Sequence, residues 1–312
     1  MSLVPSLFRR FTARIRRFLE ESYTILYSSG PSWHELRSPR HCFYADPFII
    51  EDNGAVWVFF EEFLYSSGKG RIACAEITTN GHILRSRVVL EKEYHLSFPF
   101  VFRADNSFWM IPETSGNETI DIYSSQTLGG EWTLAQTIRA GLHAVDSIVH
   151  RIGEYWWLFC FAGELPNGPR HLEIFYASEL LTQDWKRHPV GEQKMYIGGL
   201  YNYGRNAGPL FFHEGLLIRP AQRNVNYYGE GITYYNITEL SPTTYREVPY
   251  DHPSMLTGNL HHISFSDTAC TVDRRTRTKW YHLFFPHLCA QSLSSPLPEG
   301  VSPQLKGTLR SV

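Results

Sequence analysis

Short apolar strands occur in pairs along the chain, and a tight turn separates the two members of a pair. The first member carries a polar residue near its start, as in Tyr44-Ala-Asp-Pro-Phe, and the second is almost wholly apolar, as in Val56-Trp-Val-Phe-Phe. Turn signals such as Asp52-Asn-Gly stand between them and are typical of hairpins. Five such pairs recur at intervals of roughly 50–60 residues, which is the range of propeller blades. The pairs begin near residues 43, 95, 143, 205 and 261.

A second pattern occurs three times and relates the two ends of the chain. Each copy is a strand, a turn and a further strand that is preceded by a Trp. The three Trp residues are Trp33, Trp132 and Trp185. The first copy has no strand pair before it, and the last pair, around His262 and Trp280, has no such hairpin after it. The sequence therefore predicts an all-β, five-bladed β-propeller whose ring closes when the N-terminal strands join the last blade. A four-bladed ring would leave one opening strand unassigned.

Three segments are expected: a basic amphipathic helix over residues 1–22, the propeller over 23–290 and a flexible tail over 291–312. Five Arg residues interrupt the apolar positions of the first segment, which argues against a secretory signal. Such a helix packs on the ring, contacts an anionic membrane surface or is a cleaved transit peptide. The sequence predicts a cytoplasmic protein, with peripheral membrane association through this helix as an alternative.

Composition excludes several classes of function. The formal net charge is -2, so the chain lacks the positive charge that attracts nucleic acid, and no nucleic-acid partner is expected. The five Cys residues are scattered without a Cys-x-x-Cys motif, which favours reduced thiols over a disulfide framework or a zinc site. Apolar residues make up 43% of the chain, enough for a sizeable core.

Unusual polar residues are expected to meet at one rim of the propeller. The first strand of each blade lines the central channel and the second runs antiparallel to it, so the start of one and the end of the other share a rim. The polar residues at first-strand starts are Asp46, His95, Asp146, Arg205, Asn206, His261 and His262. Those at second-strand ends are Glu61, Glu62, Glu113, Arg219, Gln222 and His287. Such convergence predicts an active or binding site at the channel mouth.

Several of these assignments have alternatives. Asp46 precedes a Pro and is also compatible with a turn cap. Strand alternation sends only one of Glu61 and Glu62 inward, and Glu62 is the one assigned to the site. Arg219 is expected to pair with one of the acids or to bind a substrate anion, with a purely structural ion pair as the alternative.

The chain resembles a known group of propellers. Tyr44-Ala-Asp-Pro-Phe and Val145-Asp-Ser resemble the five-bladed propellers of glycoside hydrolase family 43. A longer set of motifs is similar to the N-terminal propeller of glucosamine inositolphosphorylceramide transferases and to bacterial relatives. That set includes Phe59-Phe-Glu-Glu, Ile111-Pro-Glu-Thr, Arg205-Asn-Ala-Gly and Arg219-Pro-Ala-Gln.

The resemblance implies roles for individual residues. Asp46 matches the catalytic Asp of the first blade, and Asp146 matches the Asp that adjusts the pKa of the acid. The general acid of the fourth blade has no match here, so Glu113 is taken as its substitute. No cofactor is required, although the resemblance implies a structural ion in the central channel beside His262.

The leading hypothesis is a glycoside-active enzyme that hydrolyses or transfers a glycosyl group through an oxocarbenium-like transition state. This chemistry needs one ionised and one protonated carboxyl; Asp46 is expected to be ionised and Glu113 or Glu62 to be the acid. The partner is a small-molecule substrate, either a glycoside or a lipid-linked one. Substrate contacts are expected from Arg219, Asn206, Arg205, His95, Gln222, Tyr44 and His261. Stacking surfaces are expected from Tyr44, Phe98, Tyr203 and Tyr227.

Two other classes of function remain open. One is a non-catalytic propeller that binds a carbohydrate or a lipid headgroup. The other is acid-catalysed carbocation chemistry on an apolar substrate, like that of a terpene cyclase. Polar groups around the carboxylates would favour a sugar, whereas walls of aromatic residues would favour the apolar substrate.

Overall fold

Each blade of the protein is a four-stranded antiparallel sheet, and five blades form the propeller that the sequence predicts. The computed structural model describes residues 22–165, 168–191 and 204–276. Within these residues there is no α-helix, and hence none long and apolar enough to cross a membrane. The predicted tail lies outside the described residues. So does the predicted N-terminal helix, except for Ser22, which begins a strand.

The blades follow one another along the chain, with the innermost strand first. Blade 1 contains β3 (Cys42–Asp52), β4 (Ala55–Leu64), β5 (Lys69–Ile77) and β6 (Ile83–Leu90). Blade 2 contains β7 (Ser97–Ala104), β8 (Ser107–Glu113), β9 (Thr119–Ser125) and β10 (Thr133–Ala140). Blade 3 contains β11 (His143–Ile152), β12 (Tyr155–Gly163), β13 (His171–Ala177) and β14 (Lys186–Arg187). Blade 4 contains β15 (Phe211–His213), β16 (Leu216–Arg223), β17 (Gly231–Leu240) and β18 (Tyr245–Tyr250).

Blade 5 joins the two ends of the described chain, which confirms the predicted ring closure. Its strand order is β19 (Leu260–Phe265), β20 (Cys270–Thr276), β1 (Ser22–Ser28) and β2 (His34–Leu36). Ile25 in β1 is paired on one side with Asp273 and on the other with Leu36. The N-terminal strands are therefore inserted into the sheet as its outer half.

The second strand of blade 5 is not the one that the sequence predicts. The strand pair around His262 and Trp280 predicts the more apolar residues 280–285 as that strand, but β20 takes its place. Residues 280–285 and His287 lie outside the described residues. The reason is chain reach: the short turn over residues 266–269 returns the chain from β19 at once. Ser266 N–H donates to Ala269 O at 2.8 Å in that turn.

The blades pack face to face, which explains the apolar runs. Val58, Phe59 and Phe60 in β4 are consecutive, yet all three are fully buried. Adjacent side chains point to opposite faces of a strand, so both faces of the blade are covered by neighbours. The Trp residues of the repeat stand directly before the outermost strands β2, β10 and β14. Trp132 packs edge-on against Phe59 of blade 1, with 5.5 Å between ring centroids, and so joins two blades.

Three innermost strands share a β-bulge near their start. In β3, β7 and β11 two residues oppose one on the neighbouring strand, and the first of them has a positive φ. These residues are Asp46 (φ 51°), Phe98 (φ 45°) and Asp146 (φ 50°). His261 marks the register shift of β19, and Gly208 before Pro209 holds the corresponding sequence position in blade 4. A bulge re-aims the side chain of its extra residue, so this feature sets what faces the channel mouth.

Candidate functional site

Asp46 and His261 form the centre of the site, at the bulges of blades 1 and 5. Nδ1 of His261 lies 3.3 Å from Oδ1 of Asp46 and 3.1 Å from Oδ2 of Asp273. Asp46 also donates its backbone N–H to Asp273 Oδ2 at 2.9 Å and accepts the N–H of Phe98 on Oδ2 at 3.2 Å. Blades 5, 1 and 2 are thus joined by one buried hydrogen-bonded network.

This network sets the protonation of both groups. Burial opposes ionisation of Asp46, but the hydrogen bond and charge of His261 lower its pKa to about 2. Burial likewise opposes the charge on His261, but Asp273 and Asp46 raise its pKa to about 10. At neutral pH Asp46 is therefore a carboxylate and His261 an imidazolium.

Tyr228 completes the hydrogen bonding of His261. Its hydroxyl lies 2.6 Å from Nε2 of His261, and its ring lies 5.0 Å from the guanidinium of Arg205. Burial raises the pKa of Tyr228 well above its usual value. The neutral phenol accepts the Nε2 proton of the imidazolium, which leaves its own O–H free to donate elsewhere.

Asp146 occupies the bulge of blade 3 and is tied to blade 4. It forms an ion pair with Arg205 and accepts a hydrogen bond from Nε2 of Gln222 at 3.0 Å. Nδ2 of Asn206 donates to the backbone oxygen of Asp146 at 2.8 Å. Burial raises the pKa of Asp146, and the charge of Arg205 opposes that shift.

Glu113 lies at the end of β8 beside these groups. Its Oε2 is 4.0 Å from Nη2 of Arg205. Burial and the charges of Asp146 and Asp46 raise the pKa of Glu113 to about 8, with Arg205 opposing. The charges of Asp46 and Glu113 therefore influence each other, yet at neutral pH Asp46 is ionised and Glu113 is protonated.

Glu61, rather than Glu62, faces this cluster, which corrects the assignment of Glu62. Burial and the charges of Asp46 and Glu113 raise the pKa of Glu61 well above its usual value. Glu62 points to the other face of β4, where Oε2 pairs with Nε of Arg71 at 2.6 Å and Oε1 lies 3.8 Å from Cys42 Sγ. Because side chains alternate between the two faces of a strand, only one of these two carboxylates can face the cluster. The position of the bulge decides that it is Glu61.

His95 lies at the rim of the site and is 39% exposed. Its Nδ1 accepts the N–H of Gly70 at 2.9 Å, and its Nε2 lies 3.6 Å from Oε1 of Glu61. This residue is one of the few polar groups of the site that solvent reaches directly.

Arg219 is a structural residue, and the expectation that it pairs with Asp46 or binds a substrate anion is wrong. Its fully buried guanidinium makes two hydrogen bonds to Glu247, at 2.8 and 2.7 Å. Tyr245 donates to the same carboxylate at 2.6 Å, and the ring of Tyr235 covers the guanidinium at 5.3 Å. Arg205 is the Arg at the channel mouth.

Two of the residues predicted to stack on a substrate are also placed elsewhere. Tyr44 is buried against Phe60, with ring centroids 4.2 Å apart, and so does not line the site. Phe98 is fully buried, whereas Tyr227 is exposed and donates to Asn259 at 3.1 Å. Tyr203 lies outside the described residues.

Instead, four aromatic side chains form a group beside the site, here called the aromatic shelf, in which Phe43 is buried and the other three are partly buried. They are Phe43, Phe63, Tyr65 and Tyr228. Phe43 and Phe63 stack with centroids 4.7 Å apart, and Phe63 lies 6.1 Å from the ring of His95. The shelf therefore extends from the carboxylate cluster along blade 1.

His262 follows His261 in β19 and is fully buried. Neither ring nitrogen has a hydrogen-bond partner, and the ring contacts Phe48 and Phe98 edge-on. Burial lowers the pKa of His262 to about 4, so the imidazole is neutral and fits a water molecule or a cation as its partner. Asp46, His261 and Asp273 each offer one possible ligand atom, and these atoms lie within 4.8 Å of one another.

Sequence reasoning missed Tyr228 and Asp273 and passed over Glu61. Tyr228 lies in the loop over residues 224–230, where no alternation of apolar and polar residues indicates which side chains face the site. Asp273 follows Thr-Val in β20, and this signal was hidden because the second strand of blade 5 was assigned to later residues.

The comparisons identify the family of this chain. The family model for the N-terminal part of glucosamine inositolphosphorylceramide transferase 1 matches residues 33–258. The chain belongs to this family. The transferase of that name from Oryza sativa subsp. japonica is 28% identical over 258 residues, which are 81% of this chain and 32% of the relative. The Arabidopsis thaliana protein is 32% identical over 213 residues, or 66% and 27% of the two chains. The chain thus spans about a third of the length of these relatives.

Solved structures confirm that the family shares its fold with glycoside hydrolases. The catalytic domain of a family 62 α-L-arabinofuranosidase from Coprinopsis cinerea has a TM-score of 0.54 at 14% identity, over 78% of this chain and 82% of the other. A family 43 β-xylosidase/α-arabinofuranosidase from a compost metagenome has a TM-score of 0.52 at 14% identity, over 76% and 92%. At these identities the likeness concerns the fold alone.

Proposed function

We propose that this chain acts on a glycoside at the channel mouth, with Asp46 as the ionised carboxylate and Glu113 as the general acid. The observation that carries the proposal is the opposite protonation of the two groups, with pKa values of about 2 and about 8. When two carboxyls of one site have very different pKa values, the group with the low pKa is assigned as the base or nucleophile and the group with the raised pKa as the acid. The two carboxyls also meet the requirement of glycosidic bond cleavage.

In the proposed mechanism Glu113 gives its proton to the leaving-group oxygen as the glycosidic bond breaks. Asp46 either attacks the anomeric carbon to form a glycosyl ester, which the acceptor then displaces while Glu113 takes the acceptor's proton, or itself takes a proton from the attacking water or hydroxyl group. Water as acceptor gives hydrolysis, and a second alcohol gives transfer. Arg205 and Asp146 position Glu113 from the side, and Asp146 helps to hold the proton on it.

The surroundings of the carboxylates support a sugar over an apolar chain as substrate. Arg205, Gln222, Asn206 and His95 supply donors or acceptors close to the acids. The aromatic shelf supplies rings beside these polar groups rather than in their place. Carbocation chemistry on an apolar substrate would require aromatic walls where these polar groups lie.

The names of similar proteins support the same class of substrate. The relatives from Oryza sativa and Arabidopsis thaliana are named glucosamine inositolphosphorylceramide transferases. A glycosylated lipid is therefore part of the proposed substrate range. An ion beside His262 and a contact of the N-terminal segment with membranes stay predictions.

The test is turnover of a panel of 4-nitrophenyl glycosides and glycosylated lipids by the protein and its variants. Asp46→Asn and Glu113→Gln are each expected to lower kcat by about 10²–10⁴-fold, because each removes one half of the acid–base pair. Glu62→Gln is the matched control, since Glu62 neighbours Glu61 but faces Arg71. Full activity of Asp46→Asn on any substrate of the panel would refute the proposal.

A non-catalytic sugar-binding propeller is the second candidate. It is favoured by the absence of a matching fourth-blade Glu among the described residues, because Asn206 in that blade donates instead to the backbone oxygens of Asp146 and Phe159. In that case Asp46→Asn keeps the ligand affinity of the native protein, and no glycoside in the panel is turned over.

A further inference from the structure

The amide side chains at the channel mouth already use their donors within the protein. Nε2 of Gln222 donates to Oδ2 of Asp146 at 3.0 Å and to the backbone oxygen of Asn206 at 3.2 Å. Nδ2 of Asn206 donates to the backbone oxygens of Asp146 and Phe159, at 2.8 and 3.2 Å. An amide has two N–H groups, so these two side chains have none left for a ligand.

The hydroxyl group of Tyr228, in contrast, is still able to donate. Its oxygen lies 2.6 Å from Nε2 of His261 and accepts the proton of that nitrogen, and no other described residue is hydrogen-bonded to it. Burial raises the pKa of Tyr228 well above its usual value, so the phenol keeps its own proton at neutral pH. Because the oxygen accepts a hydrogen bond from a cation, its O–H group is polarised and becomes a stronger donor.

The loop that carries Tyr228 is fixed by its own polar groups. Oε2 of Glu230 accepts the backbone N–H groups of Val225 and Asn226, at 3.0 and 2.9 Å. Arg275 donates to the backbone oxygen of Tyr228 at 3.0 Å. A donor that is held in place before the ligand arrives loses little conformational freedom on binding. Tyr228 is therefore suited to discriminate between ligands.

One imidazole ring joins this hydroxyl to the carboxylate of Asp46. Nε2 of His261 faces Tyr228, and Nδ1 of the same ring lies 3.3 Å from Oδ1 of Asp46. Since the two nitrogens point to different sides of the ring, the width of the imidazole separates the phenol from the carboxylate. A sugar whose anomeric carbon lies at Asp46 is therefore expected to meet Tyr228 with an oxygen that is remote from that carbon.

We propose that Tyr228 is a specificity-determining residue whose O–H group donates to a sugar hydroxyl remote from the anomeric carbon, at C3 or C4. The proposal rests on the site of the proposed function and names the part of the substrate that this site recognises. A sugar without that hydroxyl leaves the polarised O–H unpaired in the complex, which lowers its affinity. Sites that bind a substrate hydroxyl reject analogues without it more strongly than sites that sense size alone.

Double-variant cycles between the full chain and the sugar test the proposal. The probes are 4-nitrophenyl glucosides, galactosides and xylosides and their derivatives deoxygenated at C2, C3 or C4. The measured quantity is kcat/KM, or Kd by isothermal titration calorimetry where there is no turnover. Loss of the C3 or the C4 hydroxyl should cost the native protein about 10–100-fold and Tyr228→Phe less than about threefold. Loss of the C2 hydroxyl should cost both proteins the same.

Tyr227→Phe is the matched control for this cycle. Tyr227 is the neighbouring residue, but it is exposed and donates to Asn259 at 3.1 Å. The same substitution there removes a hydroxyl from the same loop without touching His261. The variant should discriminate between hydroxylated and deoxygenated sugars as the native protein does.

Fluorinated tyrosines at position 228 distinguish donation to a ligand from a purely structural contact with His261. Fluorine on the ring makes the O–H group a stronger donor and the phenol oxygen a weaker acceptor. At a pH where the phenol keeps its proton, the preference for the hydroxylated over the deoxygenated sugar should increase with each added fluorine. A structural role would leave this preference unchanged. These variants keep the ring and the hydroxyl, so they decide the question if Tyr228→Phe does not fold.

The two proposals fail in different ways. Equal costs of every deoxygenation in the native protein and in Tyr228→Phe, or a dependence confined to the C2 hydroxyl, would overturn the role of Tyr228 and leave the glycosidase activity intact. Binding that depends on Tyr228 and on a C3 or C4 hydroxyl, without turnover, would retain the role and remove the activity. Glycosides that are neither bound nor turned over would overturn both.

Discussion

Burial keeps Glu113 protonated, as the proposed chemistry requires, but the cost of ionising it makes the fold less stable at higher pH. A buried carboxyl whose pKa is raised from about 4.5 to about 8 contributes stability below pH 4.5 that is lost as the pH rises towards 8. The melting temperature of Glu113→Gln, measured by circular dichroism, should therefore rise relative to that of the native protein as the pH increases from about 5 to about 8. The variant should lose turnover.

The ionisation of His261 contributes a second change in stability with pH. Its raised pKa of about 10 means that its stabilisation is complete below about pH 6.5 and lost as the pH rises through 10. Glu113→Gln should thus keep the decline above pH 8. Glu35→Gln is a control, because Glu35 is exposed and its substitution should leave the pH dependence of the melting temperature as in the native protein. A difference in melting temperature between Glu113→Gln and the native protein that stays constant from about pH 5 to about pH 8 would contradict the assigned protonation of Glu113.

Arg219 offers a test of a purely structural ion pair. Arg219→Met leaves the carboxylate of Glu247 buried without its partner and should lower the free energy of unfolding by about 3–5 kcal/mol. The double variant Arg219→Met with Glu247→Leu should recover most of that loss, because no charge then remains in the interior. Urea denaturation measures both. A folded Arg219→Met of native stability that has lost ligand binding would restore the substrate-binding role that the structure rejects.

At the scale of the element, the bulges of the innermost strands decide which side chains reach the channel mouth. Gly208 stands at this position in blade 4, with φ at +151°. A Cβ there would lie 1.9 Å from the backbone oxygen of Ile263 in blade 5, an atom that cannot move aside. Blades 4 and 5 approach so closely at this point that no larger residue fits.

Gly208→Ala should therefore lower the free energy of unfolding by about 3 kcal/mol or more. Gly215→Ala is its matched control, because Gly215 also has a positive φ, of +79°, but nothing lies within 4 Å of its added Cβ. That variant should lose only about 1 kcal/mol from backbone strain. Equal losses in the two variants, measured by urea denaturation, would show that the contact between blades is not tight.

At the scale of the whole molecule, the N-terminal strand closes the ring. Ile25 is fully buried in β1 and packs with residues of blade 1, while its backbone pairs with β20. Ile25→Ala should lower the free energy of unfolding by about 2–5 kcal/mol. Hydrogen exchange should show reduced protection of β1 and β20 together. Rapid exchange of β1 with β20 still protected would indicate that the N-terminal strand is an accessory rather than a part of the ring.

The sequence by itself determined the fold and most of the positions that face the channel mouth. Alternation, turn residues and the Trp-marked hairpins are local signals, and five repeats of one pattern leave few ways to close a ring. Asp46 and Asp146 stood out because each interrupts an apolar run at the same point of its blade. The second strand of blade 5 was misplaced because hydrophobicity ranked residues 280–285 above β20, whereas the short turn after β19 decided the pairing.

Only the tertiary structure decided which charges meet. Asp46 and Asp273 are 227 residues apart in the chain, yet one hydrogen bond joins them. The choice of Glu61 over Glu62, the pairing of Arg219 with Glu247 and the contact of Tyr228 with His261 likewise depend on the packing of blades against one another. The protonation of Glu113 depends on the same distances, because Coulomb interactions between buried groups act through space and not along the sequence.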